Sequence, residues 1–495
     1  MDDQAGKPYL KIIGLIWILI ECSLVAGNIF GFASLFTELP RYGIYQSECR
    51  SSLEQNILSE TNITKDTCHG QQAKYQLAFA LGIAFYNVPA MVSGMISDNF
   101  GPRSLKLIAI IFHLISWLSL GFITPDRSWL LMIHTMFLSL SGISTLLASF
   151  SISNHFVKSR GLVTALISGS QLTGSLWYAV FQILIGKGLI SLISGSQLTG
   201  SLWYAVFQIL IGKGLISLST LSFIWASLSV LMFGSAMLFL DWPFNFIDST
   251  LKSKITKKQV KTITTDDTLI KHLTSPLFIV VTLFLSALLF TISFLPIVWP
   301  AWISYLTESN SESITRYTFW FNMLAGFGIF IAPLCGFIVD FRAHRGYTQK
   351  MFNISILQTI TWIGCVSLCM VCMQQSITAA PIALFILIIS RVLLVAGSQA
   401  LIATVFPPQF IGSLLGVMWT IAGLISFAIY ALLRLGNTGK DLWRPWAVIL
   451  LLCIMMGGHL IQVWMLYIKS KTEKKSQSSV IDEEEMNTLK NSNDN

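Results

Sequence analysis

Charge is scarce in this chain. Asp, Glu, Lys and Arg make up 11% of 495 residues, against roughly 25% in soluble domains, so a soluble fold is excluded. Motifs of common chemistry are missing as well. Residues 169–175, Gly-Ser-Gln-Leu-Thr-Gly-Ser, come nearest to a phosphate-binding loop but lack the Lys that reaches the phosphates, which excludes nucleotide-driven transport. There is no His-Glu-x-x-His, no Gly-x-Ser-x-Gly and no pair of Asp deep in an apolar run, so hydrolysis within the membrane is excluded too. An enzyme is not expected. Cysteine is sparse, with eight in all, and six of them (Cys22, Cys335, Cys365, Cys369, Cys372, Cys453) sit in apolar runs. Cys365, Cys369 and Cys372 share one helical face, where apolar surroundings favour packing over metal binding. Neither a metal nor a cofactor is expected.

What the chain has is apolar length: 54% of its residues are hydrophobic. Twelve runs can span a bilayer, at 10–36, 77–96, 107–123, 129–152, 162–185, 218–240, 277–298, 317–339, 351–372, 382–405, 411–433 and 446–468. The first is too long for a cleavable signal and no small-residue cleavage site follows it, so it is expected to stay as the first helix. Lys and Arg after the second, fourth, sixth, eighth and twelfth runs fall on one side, which the positive-inside rule makes the cytosol and which holds both termini. The net charge of +8 is thus topological, and nucleic-acid binding is excluded. On the other side lies a loop at 38–74 with Cys49 and Cys68, a candidate disulfide, and the candidate glycosylation site Asn62 in Asn62-Ile-Thr64.

The sequence repeats itself in two ways. Ala90-x-x-x-Gly94-x-x-x-Asp98-Asn-Phe-Gly101-Pro-Arg103 returns as Ala332-x-x-x-Gly336-x-x-x-Asp340-Phe-Arg342-Ala-His-Arg345. Small residues at this spacing let two membrane helices approach closely, and Asp with Arg at the helix exit predicts a charge-assisted gating latch. The second repeat is different in kind: residues 166–192 recur without mismatch as 192–218. Structural repeats that have diverged keep a pattern and lose identity, so this reads as a recent duplication or an assembly error. Two spanning copies would also invert every later helix and put the Lys-rich 252–261 loop outside. The resulting expectation is an all-α membrane protein, a twelve-helix bundle of two six-helix halves with one extra duplicated hydrophobic segment. Its parts are residues 1–245 (with 192–217 as the duplicated segment), a basic cytosolic loop at 246–275, a second half at 276–468 and a disordered cytosolic tail at 469–495.

This plan resembles the major facilitator superfamily, and more narrowly its solute carrier 43 group of L-type large-neutral-amino-acid uniporters and the equilibrative nucleobase transporter. The resemblance rests on 21–31 (Glu-Cys-Ser-Leu-Val-Ala-Gly-Asn-Ile-Phe-Gly), 98–103, 154–160 (Asn-His-Phe-Val-Lys-Ser-Arg), 332–342, Arg391 and 405–412 (Val-Phe-Pro-Pro-Gln-Phe-Ile-Gly). It implies that the first and tenth helices border a central cavity.

Glu21 and Arg391 are the charged residues read as deep in the membrane, at about 2.5 to 3.5 kcal/mol each if unpartnered. Two readings are open: they bind a zwitterion's ammonium and carboxylate, or they fix helices, by pairing with each other or with backbone groups. Further candidates for the solute path are Asn28, Asn87, Gln171, Asn322 and Gln399, with Phe85, Trp177, Phe290, Trp320 and Trp419 as apolar lining. His113, His134 and His459 read as hydrogen-bonded packing residues. With one deep carboxylate, ion coupling is not expected. The expected function is sodium-independent uniport of large neutral amino acids by alternating access, at the plasma membrane. Alternatives are an equilibrative nucleobase (purine) transporter and a membrane scaffold or sensor that transports nothing. Partners would be a small-molecule solute and the lipid bilayer; protein partners cannot be read from the sequence.

Overall fold

The computed structural model describes residues 8–37, 39–49, 69–156, 159–173, 217–240, 269–308, parts of 310–327, 328–343, 346–374, 376–436 and 441–493. These residues are helical, with no strand among them. Nine helical stretches among them are long and apolar enough to cross a membrane, and Phe330–Asp340 adds a shorter apolar helix. The chain is an integral membrane protein.

In the first half α1 (Pro8–Glu21) runs into a π turn, Cys22–Ala26, and a 3-10 stretch, Asn28–Thr37. Then come α2 (His69–Asn87), α3 (Ala90–Phe100), α4 (Pro102–Gly121), α5 (Leu130–Ser149), α6 (Arg160–Leu172) and α7 (Leu218–Phe239). Pro89 separates α2 from α3 within one membrane passage, because it has no amide to donate back. Gly101, at φ +86°, makes the tight turn into Pro102; a Cβ would oppose that conformation.

The second half repeats the plan with α8 (Pro276–Leu306), α9 (Gly328–Asp340), α10 (Tyr347–Cys372), α11 (Ala379–Val405), α12 (Ile411–Ser426), α13 (Ile429–Leu435) and α14 (Trp443–Asn493). Within each half, neighbours pack closely: α4 lies on α5 and α7, and α10 on α11 and α14. Between halves, α3 meets α12 and α6 meets α9. Counted as membrane passages, second meets eleventh and fifth meets eighth, the two contacts that a two-fold relation of six-helix halves exchanges.

One expectation is corrected here. A disordered tail is predicted from residue 469, but α14 continues to Asn493. An existing helix has already met the nucleation cost, so polar residues of fair helix propensity propagate it. The second copy of the repeat, apart from Ser217 and Leu218, lies outside the described residues, as do Asn62, Cys68, Trp177, Asn322, Arg345 and most of the central loop. The start of the first copy, from Leu166, is the end of α6.

Candidate functional site

After Glu21 the first helix gives way to a π turn and a 3-10 stretch, where its neighbour passes close. A Cβ on Gly27 would lie 1.9 Å from the Gln171 carbonyl oxygen of α6. Irregular backbone at membrane depth is tolerated where protein covers it or a cavity borders it. The Leu24 carbonyl, set loose by the interruption, accepts from Asn28 Nδ2 at 2.8 Å and from Trp225 Nε1 of α7 at 3.3 Å. Asn28 is thereby fastened inside the first half.

Beyond the break, Phe30 meets Tyr86 of α2 edge to face, with centroids 5.1 Å apart. The Tyr86 hydroxyl accepts from Gln171 Nε2 at 2.5 Å, which leaves its own proton to donate. From the second half the Arg391 guanidinium of α11 lies over the Phe30 ring, 5.1 Å from its centroid. Arg391 has no carboxylate partner among the described residues; what it touches is π density and the field of Tyr86. Its side chain keeps some exposure, whereas Tyr86 and Gln171 are buried. The amide oxygen Oε1 of Gln171 is buried without a partner. At the meeting of the halves the protein therefore offers guanidinium and phenol donors, an amide acceptor and an aromatic face. Nearby, the Ser168 hydroxyl of α6 meets Gln399 Oε1 of α11, and Gln399 Nε2 is left over.

Glu21 does not share this site. Its carboxylate pairs with Lys106 of α4, and both side chains are fully buried. The expectation that Glu21 and Arg391 form or bind as a pair is thus corrected; Lys106, one of the basic residues that follow the second apolar run, is buried. Lys106 lies one turn inside α4, and its four-carbon stem reaches inward to a carboxylate that burial would otherwise penalise. Ser235 of α7 adjoins the same carboxylate.

The other candidates divide. Asn87 donates to the Ile83 carbonyl at 3.1 Å and is part of a helix seam. Phe85 is partly exposed, while Phe290 and Trp419 are buried in the packed core and Trp320 is 52% exposed. His113 Nε2 sits 2.9 Å from the Trp225 carbonyl and His134 Nδ1 3.0 Å from Ser116 Oγ, as expected of packing residues. Among the described residues no group of His, Cys, Asp or Glu could hold a metal ion. Cys49 is disulfide-bonded, and its expected partner, Cys68, lies outside the described residues.

Each repeated Asp closes a seam between halves. Asp98, at the end of α3, accepts from the backbone amides of Gly412 (3.1 Å) and Ser413 (2.6 Å), the opening residues of α12. Asp340, at the end of α9, accepts from Gly161 (3.2 Å) and Leu162 (2.7 Å), which open α6. The first turn of a helix has amides without intrahelical partners and a partial positive charge, so a carboxylate is stabilised there. Small residues let it arrive: a Cβ on Gly94 would lie 2.1 Å from the Gly412 oxygen, and one on Gly336 2.3 Å from Leu162 Cα.

The expected Asp–Arg latch is therefore corrected to a carboxylate–amide latch. Arg103 instead donates Nε to the Leu240 carbonyl at 2.8 Å, at the C-terminal end of α7, where a cation suits the helix dipole. Arg342 packs over Phe341, 5.1 Å from the ring centroid. Lys350 acts on Asp340 only at a distance, and its ammonium donates to the Thr404 carbonyl at 3.2 Å. The residues that sequence reasoning missed are Lys106, Tyr86, Phe30 and the opening turns of α6 and α12.

No protein-family model matches the chain. Among curated proteins it is 26% identical to a cattle protein called Equilibrative nucleobase transporter 1, over 38% of this chain and 37% of that one. It is 24% identical to the mouse Large neutral amino acids transporter small subunit 3, over 34% and 32% respectively. These matches span about a third of each relative's length. Among solved structures, the proton:xylose symporter XylE of the major facilitator superfamily aligns with TM-score 0.59 at 14% identity, over 92% of this chain and 97% of that one. The human organic anion transporter MFSD10 aligns with TM-score 0.55 at 13% identity, over 91% and 100%. The chain has the major facilitator fold, and the relatives it resembles in sequence are transporters of the solute carrier 43 group.

Proposed function

We propose that this protein is a facilitative transporter that carries large neutral amino acids by alternating access, without coupling to sodium or protons. One observation carries the reading: Arg391 stands at the meeting of the halves, partly accessible, with no carboxylate among the described residues to neutralise it. A guanidinium at that depth is costly when unpaired, and a solute carboxylate would offset the cost through a bidentate contact. The ammonium would rest on Gln171 Oε1, the buried acceptor that lacks a partner, and on carbonyls of the interrupted first helix. Large apolar side chains would lie against Phe30 and Tyr86. Uniport is supported by the state of Glu21, since the deep carboxylate that could exchange an ion is held by Lys106. The lysine-rich side and both termini would be cytosolic, and the membrane would be the plasma membrane.

The same ion pair favours a second reading. With Glu21 withdrawn, the site has no described carboxylate for an ammonium, and a nucleobase would need none. Its carbonyl and ring nitrogens would take Arg391 and Tyr86 as donors, with Gln171 Oε1 accepting from a ring N–H, and Phe30 would meet its plane. Uptake of labelled leucine into proteoliposomes, with unlabelled leucine and adenine as competitors, separates the two. Competition by leucine and not adenine supports the first reading, and the reverse supports the second. Uptake of neither would leave a protein that carries another solute or none.

A further inference from the structure

The two latch seams look equivalent at their carboxylates and differ about two helix turns deeper. On the α3–α12 seam, the kink at Pro89 leaves backbone groups of Asn87, Val88 and Met91 without regular helical partners. A single hydroxyl from the opposite half supplies them. Thr420 Oγ1 accepts from the Met91 amide at 3.0 Å and faces the carbonyls of Val88 at 3.0 Å and Asn87 at 3.3 Å, to which its proton can be donated. The neighbouring positions are packed to contact, since a Cβ on Gly416 would lie 2.4 Å from the Ala90 oxygen and one on Gly423 2.3 Å from Asn87 Cβ.

The repeat shows what occupies the equivalent places on the α6–α9 seam. Gly412 and Gly161 are matched because each donates its amide to the first oxygen of a latch Asp. Counting eight residues on, Thr420 corresponds to Gly169, which has no hydroxyl. Matching Ala90 to Ala332 pairs Met91 with Pro333, which has no amide. Both members of the hydrogen bond are absent from that seam. Ser168, beside Gly169, turns to Gln399 of α11 instead.

We propose that Thr420 is a positioning residue that makes the α3–α12 seam the stronger of the two and so holds this side of the transporter closed. The proposal rests on the alternating-access reading above. Opening on this side must part α3 from α12, and each time it does so the Thr420 hydroxyl leaves three backbone groups at the Pro89 kink. A hydroxyl that bridges them in one state alone biases the equilibrium toward that state.

The test uses the full chain in lipid nanodiscs with paired spin labels. Labels at Phe100 and Gln409 report the α3–α12 seam, and labels at Phe341 and Ser159 report the α6–α9 seam. Among the described residues the six cysteines with free thiols are buried, which limits stray labelling. Thr420→Val, which keeps shape and removes the hydroxyl, is expected to raise the open-to-closed ratio about tenfold, while Thr420→Ser stays near wild type. Met91→Pro copies the other seam by removing the donor in the first turn of α3, where proline is tolerated. It is expected to shift the ratio in the same direction, so the proposal remains testable should Thr420→Val fold poorly. In leucine or adenine uptake, whichever is carried, Thr420→Val should lower turnover while affinity changes less. Wild-type distance distributions in both Thr420→Val and Met91→Pro, in a protein whose wild type opens, would overturn the role of Thr420 and leave alternating access standing. A wild type that shows one distance at both seams under all solutes would overturn the transport reading and this proposal together.

Discussion

The Lys106 ammonium of α4 pairs with the Glu21 carboxylate of α1 in a place that solvent does not reach. The pair joins two helices of the same half and adds no net charge to the bundle interior. Its geometry assigns Glu21 to the scaffold and leaves Arg391, at the interface between halves, with no carboxylate partner among the described residues. Breaking such a pair from one side strands a buried charge, which costs far more than the intact pair contributes.

Lys106→Met should therefore lower stability by about 3–5 kcal/mol, while Lys106→Met combined with Glu21→Leu should recover most of the loss. Thermal unfolding in detergent, read beside the apparent KM for leucine at matched surface expression, checks this. Unchanged stability with a raised KM in Lys106→Met would return the pair to the solute path.

The latch carboxylates make a different prediction. Asp98→Asn keeps one acceptor oxygen but loses the charge that favours the opening turn of α12, and it turns an amide N–H₂ toward a backbone N–H. Asp340→Asn does the same to α6. Each variant should reduce turnover roughly tenfold and change affinity much less, because the latch differs between states and does not touch solute. Initial uptake rates over a range of leucine concentrations, normalised to surface protein, separate the two effects; wild-type turnover in both variants would remove the latch.

Glycine contacts sharpen the same point. Gly94→Ala would place a methyl 2.1 Å from the Gly412 oxygen and Gly336→Ala one 2.3 Å from Leu162 Cα, so neither seam could close. A methyl on Gly458, in α14, would meet nothing within 4 Å, and Gly458→Ala should stay within about 0.5 kcal/mol of wild type. The expected outcome is loss of uptake in the first two variants with correct insertion retained, and normal uptake in the third. Normal uptake in Gly94→Ala would show that the close approach is not required.

The repeat of Ala, Gly and Asp was legible in the sequence because its spacing is local and helical, and it located both seams. The partner of each Asp was not, since a backbone amide has no side-chain signature and Gly412 lies 314 residues from Asp98. Lys106 misleads for a related reason: it follows Gly101 and Arg103 at a helix start, and only its buried pairing with Glu21 shows that its stem turns inward. Tyr86 and Phe30 read as ordinary membrane aromatics until Gln171 and Arg391 are seen against them. Thr420 was hidden in the same way, for a threonine in an apolar run looks like many others.

Arg391 brings the site's chemistry to a single measurement. If its guanidinium takes a solute carboxylate through two parallel bonds, Arg391→Lys keeps the charge but loses the fork, and a loss of about 1.5–3 kcal/mol is expected. That corresponds to an affinity roughly 10- to 150-fold weaker. Tyr86→Phe tests the neighbouring donor: it removes the acceptor of Gln171 Nε2 and the phenol proton while leaving the ring that meets Phe30. Its effect on binding should be smaller, about five- to tenfold in KM, with a stability loss of about 1–3 kcal/mol because Gln171 Nε2 is left buried without an acceptor. Both variants are read by leucine uptake at matched surface expression, with and without sodium or proton gradients. The wild type should equilibrate leucine without accumulating it, whatever the gradient. Accumulation above equilibrium would end the uniport mechanism. An Arg391→Lys protein that folds poorly, but binds leucine as wild type does when it folds, would make Arg391 a helix-fixing residue, with Phe30 as its partner in place of a solute.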